Sequence, residues 1–305
     1  MAVSFPYAAH GLQPGSGNSV TVDSSASSTS SRITGNVYSN AGVTCISGLG
    51  TPIINGTSYY TSGPDPTCDS SSVPSSTKPA PIINLASWKA AAESGGTTDC
   101  SNNNPACTLI NQGNYSLGPM KFINGNLTIR EGTHVNVTGP IWISGSGSNG
   151  KLILDNSDPL RQTGPSLFPA YPIASCGTVI IADNSITINP YTAITASSTN
   201  PKNYLILAQD TAVAGNGISI VNNLLAGGPN IYEAVFYSAD DNGNGLSDIT
   251  FSGHIVQLFN ASAVGNRVFV TQGASLALGV DLANAKFCGQ SNDWIVVRGS
   301  YKITK

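Results

Sequence analysis

The chain has 305 residues, a formal net charge of -3 and only 10% charged residues, against roughly 25% in an average soluble domain. The scarcity of Lys and Glu excludes a helical bundle or coiled coil, and no apolar run approaches the ~20 residues of a transmembrane helix. The 13 basic residues form no cluster, so we do not expect nucleic acid as a partner. The composition favours an uncharged β protein coated with hydroxyl and amide groups.

The first part of the chain is poor in apolar residues. Residues 1–30 end in VDSSASSTSS, which has too little apolar surface to order itself, and we predict a flexible linker there. Three segments follow, RITGNVYSN, AGVTCISG and TPIINGTSYYTS, which alternate apolar and polar residues and end at Gly or Asn-Gly. This pattern is typical of short strands. Together with the Pro- and Ser-rich run after them, they form a predicted β region over residues 31–79.

One short helix is predicted within residues 80–96, from the motif NLASWKAAAESGG. Asn84 can cap its beginning, good helix formers follow, and a glycine pair ends it. Leu85, Trp88 and Ala92 form a single apolar stripe on this helix. We expect the stripe to cover an exposed β edge or the end of a core.

Residues 97–305 are predicted to be a succession of short strands. Their apolar residues occur in pairs separated by one position, as at Leu127 and Ile129, so that one side of each strand points inward. The first residues of four such pairs recur at intervals of 25, 27 and 26 positions: Leu127, Leu152, Val179 and Leu205. This period is typical of repeats that form one coil each. We therefore predict an all-β fold, a β-solenoid (β-helix-like) of stacked coils with one capping helix, and a β-sandwich as the alternative.

The cysteines point to an oxidising compartment. Their number is six and lysines are scarce, which favours disulfides and an extracytoplasmic setting. Six buried, reduced thiols are the alternative. No CxxC motif occurs, so a zinc ribbon is not supported. The expected disulfides are Cys45–Cys68, Cys100–Cys107 and Cys176–Cys288, the first two from proximity in the sequence alone.

The N-terminal sequence AVSFPYAAHGLQPG lacks the basic and apolar regions of a signal peptide. Together with the cysteines, it leads us to interpret the chain as an ectodomain of a longer precursor. A natural cytoplasmic start is the alternative. Contact with a membrane is expected only through an N-terminal helix that this chain does not contain.

Several segments resemble a known family. GNVYSN, INLASWKAAAESGG, GNYSLGPMKFINGNLTIREGTHVNVTGPIWISG, CGTVIIADNSITI and AVFYSA are similar to the extracellular portion of bacterial type IV pilus-associated, PilX-like proteins, which resemble minor pilins. The resemblance runs from about Arg32 to Lys305. It implies an extracellular, cell-surface location in or near a pilus and a role in adhesion or assembly. The implied partners are other pilus or surface proteins and glycans of a host or surface.

One motif resembles a calcium loop. The segment DDNGNGLSD fits D-x-N-x-N-G-x-x-D, which places oxygen donors at every second residue around a Gly. Phe251 stands where an EF-hand has its bidentate Glu, so we expect a helix-free Ca²⁺ loop of modest affinity. A solvated Asn-Gly hairpin turn is the alternative. The expected metal-binding residues are Asp240, Asn242, Asn244, Leu246 and Asp248.

An enzymatic function has weaker support. Asp240 and Asp241, the segment Ser252-Gly253-His254 and Arg267 faintly resemble the residue sets of polygalacturonases, which are pectin-degrading solenoid enzymes. Glycoside cleavage needs two carboxylates that flank one bond, and the third aspartate motif of those enzymes is missing. We therefore expect a non-enzymatic structural or adhesive protein without catalytic residues, with a carbohydrate-active enzyme as the alternative.

A carbohydrate-binding module is the remaining alternative. Tyr side chains offer contact area with a hydrogen-bonding tip, and an exposed set of them could bind a sugar or a partner. Only 7% of the chain is aromatic, so the signal is diffuse. The residues of this expected face are Tyr59, Tyr60, Tyr171, Tyr191, Tyr232 and Tyr237.

Overall fold

The chain folds into a stack of short parallel β-strands around an apolar interior. The structure is a computed structural model that describes residues 2–3, 5–15, 17–63, 67–81, 83–110, 113–155, 164–170, 178–189, 191–198, 202–210, 215–221, 232–238, 247–253, 256–283, 285 and 287–288. Large parallel sheets dominate these residues, so the predicted all-β, β-helix-like fold is confirmed.

The N-terminal part of the chain contributes strands that are separated mainly by short Gly-, Asn- or Ser-containing turns. These strands are β1 (Ala2–Val3), β2 (Ala9–Gly11), β3 (Asn18–Asp23), β4 (Arg32–Thr34), β5 (Val37–Ser39), β6 (Gly42–Ile46), β7 (Ile53–Tyr60) and β8 (Asp69–Pro74).

The predicted helix is confirmed as α1 (Leu85–Ser94). Its N-cap is Asn84, whose Oδ1 accepts a hydrogen bond from the backbone N–H of Ser87 at 3.0 Å; this satisfies one of the free donors of the first turn. The apolar stripe of the helix is buried, with Trp88 only 3% exposed and Ala92 fully buried.

The remaining strands follow the helix, with two 3₁₀ turns at Ser101–Asn103 and Pro105–Cys107. They are β9 (Thr97–Asp99), β10 (Thr108–Leu109), β11 (Asn114–Leu117), β12 (Met120–Ile123), β13 (Leu127–Ile129), β14 (His134–Val137), β15 (Ile141–Ile143), β16 (Leu152–Leu154), β17 (Ser166–Pro169), β18 (Thr178–Ala182), β19 (Ile186–Ile188), β20 (Ala193–Ile194), β21 (Leu205–Gln209), β22 (Gly215–Val221), β23 (Ala234–Ser238), β24 (Ser247–Ser252), β25 (Gln257–Leu258), β26 (Ser262–Gly265), β27 (Arg267–Thr271), β28 (Ser275–Ala277) and β29 (Phe287–Cys288), with a one-turn helix α2 (Val280–Ala283) before the last strand.

The stack has three faces, and most coils contribute a strand to each face, while the long strand β7 contributes to two of them. The first face has the order β9-β12-β15-β18-β21-β23-β26-β2-β5-β7. The second face has the order β10-β13-β16-β19-β22-β24-β27-β3-β6. The third face runs β11-β14-β17-β20, continues through a parallel bridge at Tyr232, and ends β25-β28-β4-β7. Only β1 and β29, among the described strands, pair in the antiparallel sense.

The order of the coils in space differs from their order in the chain. The N-terminal strands β2, β3 and β4 pair with the last C-terminal coil, through β26, β27 and β28. The described residues of 31–79 and of 97–288 therefore share one interior. The predicted linker at residues 1–30 is wrong, because β2 and β3 lie within it and Val20 and Val22 are fully buried between neighbouring coils.

The interior is built from columns of paired apolar side chains. On the second face, one column is fully or almost fully buried along nearly the whole stack: Leu127, Leu152, Ile186, Ile218, Ile249, Val268, Val20 and Val43. The predicted stacking of Leu127 on Leu152 is confirmed. That of Leu152 on Val179 is wrong, because Val179 lies on the first face and pairs with Ile206. Each coil carries an apolar pair on each of its three faces, so the spacing of the pairs in the sequence does not show which pairs stack on one another.

A return segment, residues 75–96, connects the two ends of the stack. It leaves β8, which lies beyond β7 at one end, and leads to β9, which forms the other end of the first face. Helix α1 packs on β12, β15 and β18. The helix thus covers the outer side of the first face, and the expectation that it covers an edge or a core end is wrong. Every residue of β18, β21 and β23 is buried, and their outward residues share one apolar cluster with Trp88 of the helix and with Tyr204 and Leu282.

The two ends of the stack each carry a disulfide. Cys100–Cys107 follows β9, with a Cα–Cα distance of 5.6 Å. Cys45–Cys68 joins β6 to the residue before β8, with a Cα–Cα distance of 5.9 Å. Both predicted pairings are confirmed, and they indicate folding outside the reducing cytoplasm. Cys176 lies outside the described residues and Cys288 is described only as part of β29, so their pairing stays a prediction.

Candidate functional site

The first face carries an outward column of side chains that is covered over most of its length, with its two end members, Thr97 and Val73, exposed. These residues pair successively from one end of the stack to the other. They are Thr97, Lys121, Trp142, Ile181, Ala208, Tyr237, Val264, His10, Tyr38, Tyr59 and Val73. We call this set the covered column.

Three tyrosines hold the beginning of the return segment. The Lys78 ammonium lies 5.2, 4.8 and 5.8 Å from the ring centroids of Tyr7, Tyr38 and Tyr59, and its Nζ donates a hydrogen bond to the Tyr7 hydroxyl at 2.5 Å. That bond, with the electrostatic attraction of the three tyrosines, raises the pKa of Lys78. We call these four residues the tyrosine clasp. Attraction of a cation to aromatic faces stabilises this arrangement, by about 0.5–1 kcal/mol at an exposed site.

The backbone of the return segment is fixed at the same point. Asn40 donates from Nδ2 to the carbonyl of Lys78 at 2.7 Å and accepts from the N–H of Lys78 at 2.8 Å. The Tyr38 hydroxyl also donates to the carbonyl of Ser76. These bonds pair backbone groups that no strand satisfies. They attach residues 76–78 to β5 and the turn that follows it.

His10 lies beneath the clasp. It is 2% exposed, and its ring contacts Tyr7 and Tyr38 edge to face, with centroid distances of 5.6 and 5.1 Å. Burial, together with the positive charge of Lys78, lowers the pKa of His10 to about 4. The ring is therefore neutral at physiological pH and acts as an apolar packing group.

Helix α1 is attached to the first face through an ion cluster. The Lys89 Nζ donates to Asp183 Oδ1 at 2.6 Å and also to Asp210, and it lies 4.8 Å from the centroid of Trp142. Asp183 additionally accepts from Trp142 Nε1 at 2.9 Å. Burial lowers the pKa of Lys89, but the hydrogen bonds to the two carboxylates outweigh this and raise it. The cluster holds the charged amine on an otherwise apolar surface.

A second, more exposed ion pair holds the end of the helix. Lys121 Nζ lies 2.8 Å from Glu93 Oε1, and the Glu93 side chain is 56% exposed. Lys121 also lies 4.1 Å from the Trp142 ring centroid, on the covered column. Trp142 thus contacts two lysines, one from the helix and one from the sheet.

The third face has a polar cluster centred on Glu233. Its carboxylate accepts from the N–H of Ala196 and from Asn260 Nδ2, both at 3.0 Å, and lies 3.4 Å from Lys202 Nζ. Burial raises the pKa of Glu233, but these hydrogen bonds and the lysine charge lower it overall. The cluster joins three successive coils, and its carboxylate already has three partners.

The predicted calcium loop is described only at its end. Asp240, Asn242, Asn244 and Leu246 lie outside the described residues. Asp248 is 3% exposed, and its Oδ1 accepts from Arg267 Nε at 2.9 Å, while Oδ2 pairs with the same guanidinium. A guanidinium at both oxygens opposes a divalent cation there. Among the described residues, no group of three or more His, Cys, Asp or Glu side chains could hold a metal, and calcium binding stays a prediction.

The pectinase-like set lies partly outside the described residues, which leave out Asp240, Asp241 and His254, so its assembly is not tested. Of its described members, Ser252 lies at the end of β24. Arg267 pairs with Asp248, and its guanidinium lies 5.2 Å from the ring of Phe269. This arrangement accounts for the arginine as a structural partner of a buried carboxylate.

The expected tyrosine face is wrong for three of its members. Tyr60, Tyr232 and Tyr237 are 9%, 0% and 4% exposed, because they point into the interior or lie beneath the return segment. Tyr59 belongs to the clasp, and Tyr191 is partly exposed. Tyr171 lies outside the described residues.

Of the residues that hold the return segment, the sequence singled out Tyr59, as part of an expected sugar-binding face, but none of the others. Lys78 and Tyr7 are 71 positions apart, and Lys89 and Asp210 are 121 positions apart. No local motif links such residues, because the pairing depends on which coil each one occupies. The available signal in the sequence was Lys89, the single basic residue of the predicted helix.

Comparison with known proteins adds no identification, since no family model, curated protein or solved structure matches the chain. Within the described residues, no helix combines the length and apolar character needed to cross a membrane.

Proposed function

We propose that the protein is a non-enzymatic structural or adhesive protein of the cell exterior, associated with a type IV pilus. The observation that carries the proposal is the location of the two disulfides at the two ends of one continuous solenoid. The ends are where a stack lacks a neighbouring coil, and covalent closure there suits a body that is displayed outside the cell.

The covered first face supports the same proposal. The return segment contributes Ile83, Leu85 and Trp88 to the apolar cluster on the outer side of this face, and every residue of β18, β21 and β23 is buried. Several carboxylates of the described residues already have donors: Asp183 and Asp210 from Lys89, Glu93 from Lys121, and Glu233 from Asn260. These carboxylates therefore have structural roles, because their ion pairs and hydrogen bonds connect separate segments of the fold.

The pilus resemblance supplies the finer part of the proposal. It implies that the chain lies in or near the filament and contacts other pilus or surface proteins, or glycans. A low net charge of -3 on 305 residues suits contacts that do not depend on ionic strength.

Fractionation of the encoding bacterium tests this function. Antibodies raised against the purified chain should detect it in the filament fraction sheared from intact cells. A strain that cannot assemble type IV pili is the control, and it should lose the signal from that fraction. Recovery from the cytoplasm, or an unchanged surface signal in the control strain, would contradict the proposal.

A turnover assay tests the alternative that the protein is a carbohydrate-active enzyme. The purified chain is incubated with polygalacturonate, and reducing ends are measured beside an Asp241→Asn variant. We expect no release above the buffer blank for either protein. Release that the substitution abolishes would contradict a non-enzymatic function.

A further inference from the structure

The join between the N-terminal and C-terminal coils consists of three parallel strand pairings, beside the short antiparallel pair of β1 and β29. Ala9 on β2 pairs with Ala263 on β26, Val20 on β3 pairs with Val268 on β27, and Ile33 on β4 pairs with Leu276 on β28. All six side chains are fully buried. We call strands β2 to β8 the donor unit, and the outer edges of β26, β27 and β28 the acceptor edge.

Each of the two pieces has one closed end and one end that requires the other piece. Cys45–Cys68 lies at the far end of the donor unit, and Cys100–Cys107 lies at the far end of the C-terminal coils. At the join there is no disulfide among the described cysteines, and the contact consists of strand edges and apolar side chains. An acceptor edge without its donor unit would expose its unpaired strand edges and its apolar side chains. Such edges pair readily with other strands.

The covalent link between the pieces runs along the outside of the stack. Lys78 is attached to the donor unit by Asn40 and the tyrosine clasp. Lys89, on α1, is attached to the C-terminal coils by Asp183 and Asp210. Between these two attachments lies a short hinge, residues 79–84, that begins Pro-Ala-Pro. Because the described residues of the hinge lie outside the interior, with Ile83 in the outer cluster of the first face, the donor unit can separate without unthreading the chain.

We propose that the acceptor edge binds the donor unit of a second copy of this chain. The exchange uses the same three ladders as the closed monomer, so it creates no new interface except at the hinge. Reciprocal exchange gives a closed dimer, and one-way exchange gives an open series of copies joined end to end by strand addition. The hinge favours the monomer through the high effective concentration of the attached donor unit.

The length of the hinge decides whether the closed monomer or the exchanged form is stable. Deleting Pro79, Ala80 and Pro81 from the full chain removes about 10 Å of extended reach. The donor unit and α1 then cannot both occupy their sites on one copy. We expect light scattering after size exclusion to show a dimer or larger species. Replacing the same three residues with Gly-Ser-Gly keeps the length, and this control should retain the mass of the unaltered chain.

A cysteine trap locates the interface. Ala9→Cys is introduced into one hinge-deleted chain and Ala263→Cys into another, and the two are unfolded together and refolded. Neighbouring strands are about 4.8 Å apart, within the range of a disulfide. Peptide mapping should find the 9–263 cross-link between chains. A monomeric deletion variant with unaltered melting would overturn the proposal, as would an oligomer without this cross-link.

A second measurement avoids the deletion in case that variant does not fold. The same two cysteine variants, with the hinge intact, are mixed after partial unfolding at high protein concentration. We expect the cross-link between chains in a minor fraction that grows with concentration. Its absence, with native circular dichroism recovered, would also overturn the proposal.

Discussion

Lys89 and Asp183 are 94 positions apart in the sequence, and their Nζ and Oδ1 atoms lie 2.6 Å apart in the structure. The lysine belongs to the helix of the return segment, and the aspartate follows β18 on the first face. Their side chains are 19% and 13% exposed. The contact therefore attaches the segment that joins both ends of the stack to the middle of that stack.

Loss of this contact should destabilise the fold. Lys89→Ala leaves Asp183 and Asp210 without their cation, although Asp183 keeps its hydrogen bond from Trp142. Loss of the charge-assisted hydrogen bonds to the two carboxylates costs about 1.5–3 kcal/mol. Lys121→Ala is the matched control, because Lys121 also lies over Trp142 but pairs with an exposed carboxylate, worth about 0–1 kcal/mol. Chemical denaturation measures both. Equal losses for the two variants would show that the buried cluster is not the stronger attachment.

Stability should fall with acidification through His10. Its pKa is lowered from 6.5 to about 4 in the folded chain, so between these pH values the unfolded state binds more protons. The free energy of unfolding therefore decreases as the pH drops from about 6.5 to 4, by at most about 3 kcal/mol from this group. His10→Phe keeps a buried ring and should flatten this part of the pH profile. A profile that keeps the original slope in the variant would contradict this role.

The two disulfides should differ in their contributions. Cys45–Cys68 closes a separation of 23 residues and Cys100–Cys107 one of 7. Constraint of the unfolded chain predicts losses of about 3 and about 2 kcal/mol for the respective double Cys→Ser variants. Hydrogen exchange should increase first at the altered end of the stack, near β6 or near β9. Uniform exchange along all coils would contradict a role as end closures.

Gly279 should tolerate no side chain. A Cβ atom there would lie 1.3 Å from Oδ1 of Asn260, the residue that donates to Glu233. Gly279→Ala must therefore displace Asn260, with an expected cost of about 1–3 kcal/mol. Gly17→Ala is the control, since a Cβ atom at that position would meet nothing within 4 Å. Thermal melting of the two variants measures the difference, and equal midpoints would contradict the steric argument.

Local features of the fold could be predicted because their causes are local. Asn84 caps α1 through a neighbouring N–H, and Cys100 and Cys107 are 7 positions apart. The alternation at Leu127 and Ile129 requires only the two-residue period of a strand. None of these features depends on which distant strand lies beside them.

The candidate site could not be predicted for the opposite reason. Tyr237 was expected to be exposed, and it is buried because the return segment crosses the strand that carries it. Lys78 contacts Tyr7, Tyr38 and Tyr59 only after the three coils that contain β2, β5 and β7 have stacked. The partner of each such residue depends on the order of coils in space.

The order of residues along the chain is enough to specify a low-charge protein of short strands, one capped helix and two short-range disulfides, because alternation, capping and proximity act over a few residues. Long-range packing is what places the N-terminal coils after the C-terminal ones and lays the return segment over the first face. Strand edges and apolar interiors are alike from coil to coil, so the pattern of residues leaves their stacking order open. The stacking order is selected by the burial of those edges and apolar side chains in one continuous interior.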